Sequence, residues 1–350
     1  MKKFYVALMA AGVTFSASAF AFEGSIVKVP ASNDHFFVGV EALWLQASDT
    51  NGDLDYANLN VPPVSTGATN NSIQNIDPTY QWAWRIFAGW EYGAAMDVSL
   101  SYFNLRNSDS DSVGVSPTGT AGVFPQNDPT AFGSYTDGSA NVDTHIDQVD
   151  LTFGQKIRPI RCVTLHPFGG LRYARITRDL DASFTDGTLG TTTVFDLDTS
   201  DDSKFSGVGP IAGLDAMIDL GSGFKVVGHV DAGVMVGDMD DDFSSVRTAT
   251  TTGGVVTTAE TNVDADSNTR VVPFIDTRLG VSYTYEMDND SALILELGYQ
   301  ASVYHDAIDK ISVGSGSGTT FAGGGTPENP VRNTSSLGLN GPYLNLVWRI

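Results

Sequence analysis

The chain has 350 residues, a formal net charge of −22 and 17% charged residues, against about 25% in an average soluble domain. Such acidity argues against nucleic acid as a partner, because nucleic acid binds basic surfaces, and against peripheral docking on anionic lipid heads. The lone cysteine, Cys162, excludes an intramolecular disulfide and a metal centre built from clustered cysteines.

The first element is not part of the fold. Lys2 and Lys3 precede an apolar run from Phe4 to Phe15, and Ala17-Ser18-Ala19 and Ala19-Phe20-Ala21 both offer a signal-peptidase pattern. Residues 1–21 read as a signal peptide cut after Ala21, with Ala19 as the alternative. Its loss removes two lysines, leaving 17 bases against 41 acids and a charge of −24. Nothing beyond Ala21 is apolar for the ~20 residues a spanning helix needs. The mature chain, 22–350, is therefore an exported soluble protein or a β-barrel. Its 37 Gly, its 10% aromatic content and a mean hydropathy near zero favour the barrel, because alternating apolar and polar positions cancel in any window.

Two-residue alternation then recurs along the chain. Phe36–Ala47 is a first, weaker instance. Tyr80–Tyr92 is the clearest, with Tyr80, Trp82, Trp84, Ile86, Ala88, Trp90 and Tyr92 on one face and Gln81, Arg85, Gly89 and Glu91 on the other. A helix would scatter those aromatics, whereas a strand aligns them. Met96–Leu105, Ile146–Ile157, Leu165–Arg175 and Phe205–Asp219 follow. Phe224–Val236, Val271–Glu286, Leu293–Val303 and Gly341–Ile350 complete ten strands, an even number as bacterial barrels show. Four connections are short, around Gly93-Ala94-Ala95, Arg158–Thr164, Leu220–Gly223 and Met287–Asp290. Five are long and polar: Ser48–Thr79, Arg106–His145, Thr177–Lys204, Gly237–Arg270 and Asp306–Ser336. Short turns on one rim and long loops on the other match an outer-membrane barrel with periplasmic termini. A soluble β-sandwich also alternates, but its apolar face is not so aromatic.

Charges sort by face. Opposite the apolar face lie the acids Glu41, Glu91, Asp97, Asp150, Asp215, Asp231, Asp276, Glu286 and Glu296, with the bases Arg85, Lys156, Arg172, Lys225, Arg278 and Arg349. These residues, Arg349 apart, are the candidate pore lining. Small inward residues (Gly89, Ser99, Ser101, Gly154, Gly170, Gly213, Gly233, Gly280, Gly298) are expected to leave space for a narrow pore, and the excess of acids predicts weak cation preference. The opposing expectation is that the charges only pair and pack.

Other chemistry is thinly signalled. Asp196, Asp198, Asp201 and Asp202, and Asp238 with Asp240-Asp241-Asp242, are acidic loop clusters; Asp49–Asp55 imitates a calcium loop but has Leu54 at its sixth position and Asn60 at its twelfth. No metal or cofactor is assigned. Some ten-stranded barrels are proteases of the omptin type, needing paired Asp and an Asp–His pair facing across the outer rim. His305-Asp306 lies near that rim, but adjacent strand residues point to opposite faces, so no catalytic residue is assigned. Cys162, in a turn toward the oxidising periplasm, is either an unpaired thiol or an intermolecular disulfide candidate linking a homo-oligomer.

Phe37-Val38-Gly39-Val40-Glu41-Ala42-Leu43-Trp44-Leu45 resembles the first strand of the Legionella-type pore-forming major outer-membrane proteins. So do Phe87-Ala88-Gly89-Trp90-Glu91-Tyr92, Pro167-Phe168-Gly169-Gly170-Leu171-Arg172-Tyr173-Ala174 and Gly207-Val208-Gly209-Pro210-Ile211-Ala212-Gly213-Leu214-Asp215, in that family's order. The resemblance runs through nearly all the strands and fails in the loops. It implies an abundant porin-like protein that forms disulfides between copies, which adds weight to Cys162. The chain departs from the pattern in ending Trp348-Arg349-Ile350 rather than on an aromatic residue.

The expectation is an all-β, closed antiparallel transmembrane β-barrel of ten strands (eight or twelve being the alternatives) in the outer membrane. It would have long extracellular loops and short periplasmic turns, with lipid and lipopolysaccharide around it. Its expected function is a porin-like pore for small hydrophilic solutes or ions. The alternative is a closed barrel serving adhesion through acidic loops.

Overall fold

The computed structural model describes residues 34–50, 52, 54–61, 70–93, 95–116, 121–126, 134–189, 193–287, 291–314 and 329–350. The expected signal peptide, 1–21, and Asn51 and Asp53 of the calcium-like stretch lie outside the described residues. Fourteen strands run in chain order: β1 His35–Asp49, β2 Asp55–Val61, β3 Asn70–Asn75, β4 Gln81–Tyr92, β5 Met96–Gly114, β6 Gly122–Pro125, β7 Asp137–Gln155, β8 Ile157–Ile160, β9 Val163–Leu189, β10 Thr193–Gly221, β11 Phe224–Thr251, β12 Val256–Glu286, β13 Ala292–Gly314 and β14 Asn329–Arg349.

Ten of them close a ring, β1-β4-β5-β7-β9-β10-β11-β12-β13-β14, every neighbour antiparallel. β14 returns to β1 with Trp348 opposite Val38 and Leu344 opposite Ala42. The last rung is double, Phe36 N donating to Ile350 O at 3.1 Å and Ile350 N to Phe36 O at 2.8 Å, so the ring has no free edge. All ten expected strands are present. The tight β10–β11 turn runs through Gly221, Ser222 and Gly223 at φ +91°, +54° and +85°, a conformation that glycine adopts without steric cost.

The outer wall changes character abruptly. The cross-strand row Tyr102–Val149–Tyr173–Val208–Val236–Val271 is apolar. Two residues farther along each strand, the outward row reads Asn104–Asp147–Arg175–Ser206–Asp238–Thr269. The apolar belt below that boundary meets the requirement of hydrocarbon contact; the wall above it is built for water.

The strands continue well past this boundary. β12 has 31 residues, whereas a tilted strand spans hydrocarbon in about 9–11. The stretches expected as loops at Thr177–Lys204 and Gly237–Arg270 are thus mostly strand, and parts of Ser48–Thr79, Arg106–His145 and Asp306–Ser336 are strand as well. The physical reason is an inversion of polarity at constant phase. On β9, Leu171 and Tyr173 point outward in the belt with Arg172 inward. Above it, Asp179 and Asp181 point outward while Ile176, Leu180 and Phe184 are buried inside. Alternation persists, but the outward apolar residues end where lipid ends.

Inside, one apolar cluster receives residues from all ten barrel strands, among them Leu43, Leu45, Ala83, Phe103, Leu105, Ile146, Ile176, Phe205, Met235, Val272, Phe274, Ile308, Leu337 and Leu339. These residues are at most 5% exposed and form a packed apolar septum inside the barrel. Farther from the short turns, a small sheet β3-β2-β6 caps the barrel. It packs Tyr56, Ala57 and Val123 with Tyr135, which bridges to Val123, and with Leu180, Phe184, Phe195 and Leu197 of the wall.

Candidate functional site

Between the septum and the short-turn end lies a cavity of about 360 Å³, open at that end. It collects charges from separate strands because each occupies the inward phase of its own strand. Among the candidate pore-lining residues, Glu41, Arg85, Glu91, Asp97, Asp150, Lys156, Arg172, Asp215, Asp231 and Arg278 line it. Asp276 is buried behind Arg172, and the carboxylate of Glu296 accepts the Tyr343 hydroxyl at 2.5 Å. Lys225 is not among the lining residues; it lies at the short-turn end of β11. Glu286 does not reach the interior; it is exposed at the end of β12, opposite Ala292 of β13.

Arg172 is the hub. Its Nε and Nη2 donate to Asp150 at 2.8 and 3.0 Å and its Nη1 donates to Asp276 at 2.6 Å, with Asp231 at 3.4 Å. Its guanidinium also lies 4.3 Å from the Phe274 ring centroid, on the underside of the septum. Arg85 and Arg278 share Glu41, each at 3.1 Å, and Lys156 pairs with Glu91. At 2% side-chain exposure, Arg172 would be costly to bury alone, and three carboxylates around it supply the compensation.

His166 and His229 complete the network. His166 contacts Asp97 and Asp215 through its two ring nitrogens, both at 2.7 Å. His229 contacts the same Asp215 through Nδ1 and reaches Asp231 at 2.8 Å through Nε2. The series Asp97–His166–Asp215–His229–Asp231–Arg172 is continuous across β5, β9, β10 and β11. Sequence reasoning did not single out these two histidines; the available signal was that each sits on the charged face of its strand. They also bring two imidazoles into the lining, each set between two carboxylates.

The inward glycines do not leave an open path. A methyl group at Gly89 would stand 2.3 Å from Phe37 Cζ, at Gly213 2.3 Å from Phe168 Cζ, and at Gly233 2.5 Å from Phe274 Cζ. Tyr343 lies within 2.8 Å of the equivalent position on both Gly280 and Gly298, and His166 within 2.2 Å at Gly154. At Gly170 the Leu151 carbonyl oxygen occupies the place, at 2.0 Å. Glycines are seats for rings and backbone from neighbouring strands, so small residues here signify close packing rather than a pore.

A second polar layer lies between septum and cap. Arg270 and Arg332 bind Asp309, the latter at 3.2 Å, and Lys310 Nζ donates to the Asp55 carbonyl of the cap at 3.0 Å. Asp201 and Asp241 are buried in this layer, whereas Asp196, Asp198, Asp202, Asp238 and Asp242 face outward. Alternation therefore splits each acidic cluster between the two faces of the wall. His305 and Asp306 are both exposed, at a β13 bulge where Asp306 has φ +55°. Cys162 is exposed in the turn joining β8 to β9.

The family profile described as Legionella pneumophila major outer membrane protein precursor matches residues 28–350. The chain belongs to this family. This family member is an outer-membrane protein, and its short turns accordingly face the periplasm. No curated protein matches it. Among solved structures it is similar to the outer membrane protease OmpT of Escherichia coli at 9% identity, covering 92% of this chain and 98% of that one, with TM-score 0.43. It is also similar to the toluene transporter TodX of P. putida at 6% identity, covering 91% and 90%, with TM-score 0.26. A Pseudomonas aeruginosa FadL homologue follows at 8% identity, covering 91% and 90%, with TM-score 0.25.

Proposed function

We propose that this family member is a porin-like pore that rests shut and passes small hydrophilic solutes or ions only when its septum parts. The observation that carries the reading is the charged cavity, open to the periplasm and reaching to the underside of the septum. A barrel needed only as an anchor gains nothing from burying so many ionised groups, since a buried ion pair seldom stabilises more than packed apolar side chains. Recordings from the purified protein in a planar bilayer test it. Brief steps above a closed baseline support the reading; a permanently silent bilayer refutes it.

A second reading, a closed barrel that acts through its outer surface, has its own support. Asp143, Asp179, Asp202, Asp242 and Asp264 are direct cross-strand partners across five strands of the upper wall. Like charges directly opposite one another destabilise a sheet, so the row suits a surface that meets cationic partners or cation-bridged lipopolysaccharide phosphates. The same silent bilayer would favour this reading. Its further proposed partner is a second copy through Cys162.

A further inference from the structure

In a chain of net charge −22, Lys156 and Arg349 line the cavity toward its periplasmic end, and Arg158 and Lys225 stand at strand ends on the same short-turn rim. Lys156 follows β7, Arg158 lies on β8, Lys225 opens β11 and Arg349 closes β14. Lys225 sits opposite Asp219 of β10, β10 pairs with β9, and β9 pairs with the β8 strand that carries Arg158, so neighbouring strands hold these cations at one rim. The facing acids do not match them. Glu91 is committed to Lys156, and Asp219, opposite Lys225, also accepts the Gly221 amide at 2.9 Å. Among the described residues, Arg158, Lys225 and Arg349 have no ion-pair partner within 4.0 Å.

Unused donors point the same way. Nε of Arg349 is buried without a hydrogen-bond partner, and so is Nε of Arg278, deeper in the same cavity. Cations gathered at a cleft repel one another and focus a positive potential into it, and a shared anion relieves both. Guanidinium groups suit planar or tetrahedral oxyanions, which they bind through paired charge-assisted hydrogen bonds.

We infer that the periplasmic mouth is an anion-binding vestibule, in which Arg349, Lys225 and Arg158 take up a small carboxylate- or phosphate-bearing solute from the periplasm. Binding there needs no opening of the septum, so the vestibule stands or falls separately from the pore.

The test is calorimetric titration of inorganic pyrophosphate into the full-length mature protein, folded in micelles with uncharged heads, at constant ionic strength. Saturable one-site binding is expected in the wild type. Arg349→Gln with Lys225→Gln should weaken it by about tenfold or more, the weight of at least one charge-assisted contact. Because Arg349 lies on the strand that closes the ring, Arg158→Gln with Lys225→Gln provides a second variant that leaves β14 intact and should weaken binding similarly. Lys204→Gln, on the outer wall far from the mouth, should bind like the wild type. Gel migration with and without boiling shows which proteins are folded. Absence of saturable binding in the wild type, unchanged affinity in the folded mouth variants, or an equal loss in Lys204→Gln would each overturn the inference.

Discussion

Arg172→Met is the substitution that most severely tests the lumen network. Methionine keeps much of the volume and removes the charge, leaving Asp150, Asp276 and Asp231 without the guanidinium they surround at 2.6–3.4 Å. Arg172 is 2% exposed in its side chain and Asp231 and Asp276 are 3%, so water cannot replace it without opening the structure. Deleting one partner of a buried pair costs about 3–5 kcal/mol, and losing the contact with the Phe274 ring adds roughly 0.5–2 kcal/mol. The expected loss is therefore about 4 kcal/mol or more. Urea titration in micelles, read by the difference in gel migration between folded and unfolded barrel, measures it. Adding Asp150→Asn and Asp276→Asn to Arg172→Met should recover much of the loss, because the orphaned charges are then gone. If Arg172→Met unfolds within about 1 kcal/mol of the wild type, the hub does not hold the lumen as argued.

Other outcomes follow from the same geometry. Gly213→Ala should lower stability by about 1–3 kcal/mol in the same titration, because its methyl meets Phe168 at 2.3 Å and the Val230 carbonyl oxygen at 2.7 Å. Gly169→Ala, outward-facing with nothing nearer than 3.6 Å, should change it by no more than about 0.5 kcal/mol. Burial, reinforced by neighbouring acids, pushes the carboxyls of Asp201 and Asp241 above the membrane belt up to about 7. Their folded values exceed the ordinary 3.8, so their contribution to stability is full below that value and is lost as pH rises through about 7. Urea midpoints should fall between pH 5 and pH 8 (about the window that brackets this titration), and Asp201→Asn with Asp241→Asn should flatten the fall. Intact envelopes run on a non-reducing gel should show a dimer that Cys162→Ser abolishes; monomer alone would remove the disulfide.

The ten barrel strands were legible because lipid imposes a one-sided rule: outward residues from Trp82 to Trp90 must be apolar, and their neighbours need not be. The upper wall was not, because that rule lapses once water replaces lipid. With Asp179 outside and Leu180 inside, the composition there is that of a polar loop although the alternation continues. Charge placement was legible for the same reason as the strands, and Glu41, Arg85, Arg172 and Asp276 do meet inside. What those charges contact was not legible, since Arg172 and Asp276 are 104 residues apart and only ring closure joins them. The glycines show the limit most clearly. Gly233 announces that a side chain is missing, but not that Phe274 of the neighbouring strand fills its place.

Side-specific labelling of the cavity bears most directly on the septum. Ser101 lines the cavity on the periplasmic side of Phe103 and Leu105. Ser101→Cys, placed in a Cys162→Ser background and inserted in one orientation into a bilayer, should react with a charged thiol reagent added on the periplasmic side and resist the same reagent added outside. Equal labelling from both sides under resting conditions would mean that the lumen is already open and that the septum does not close it.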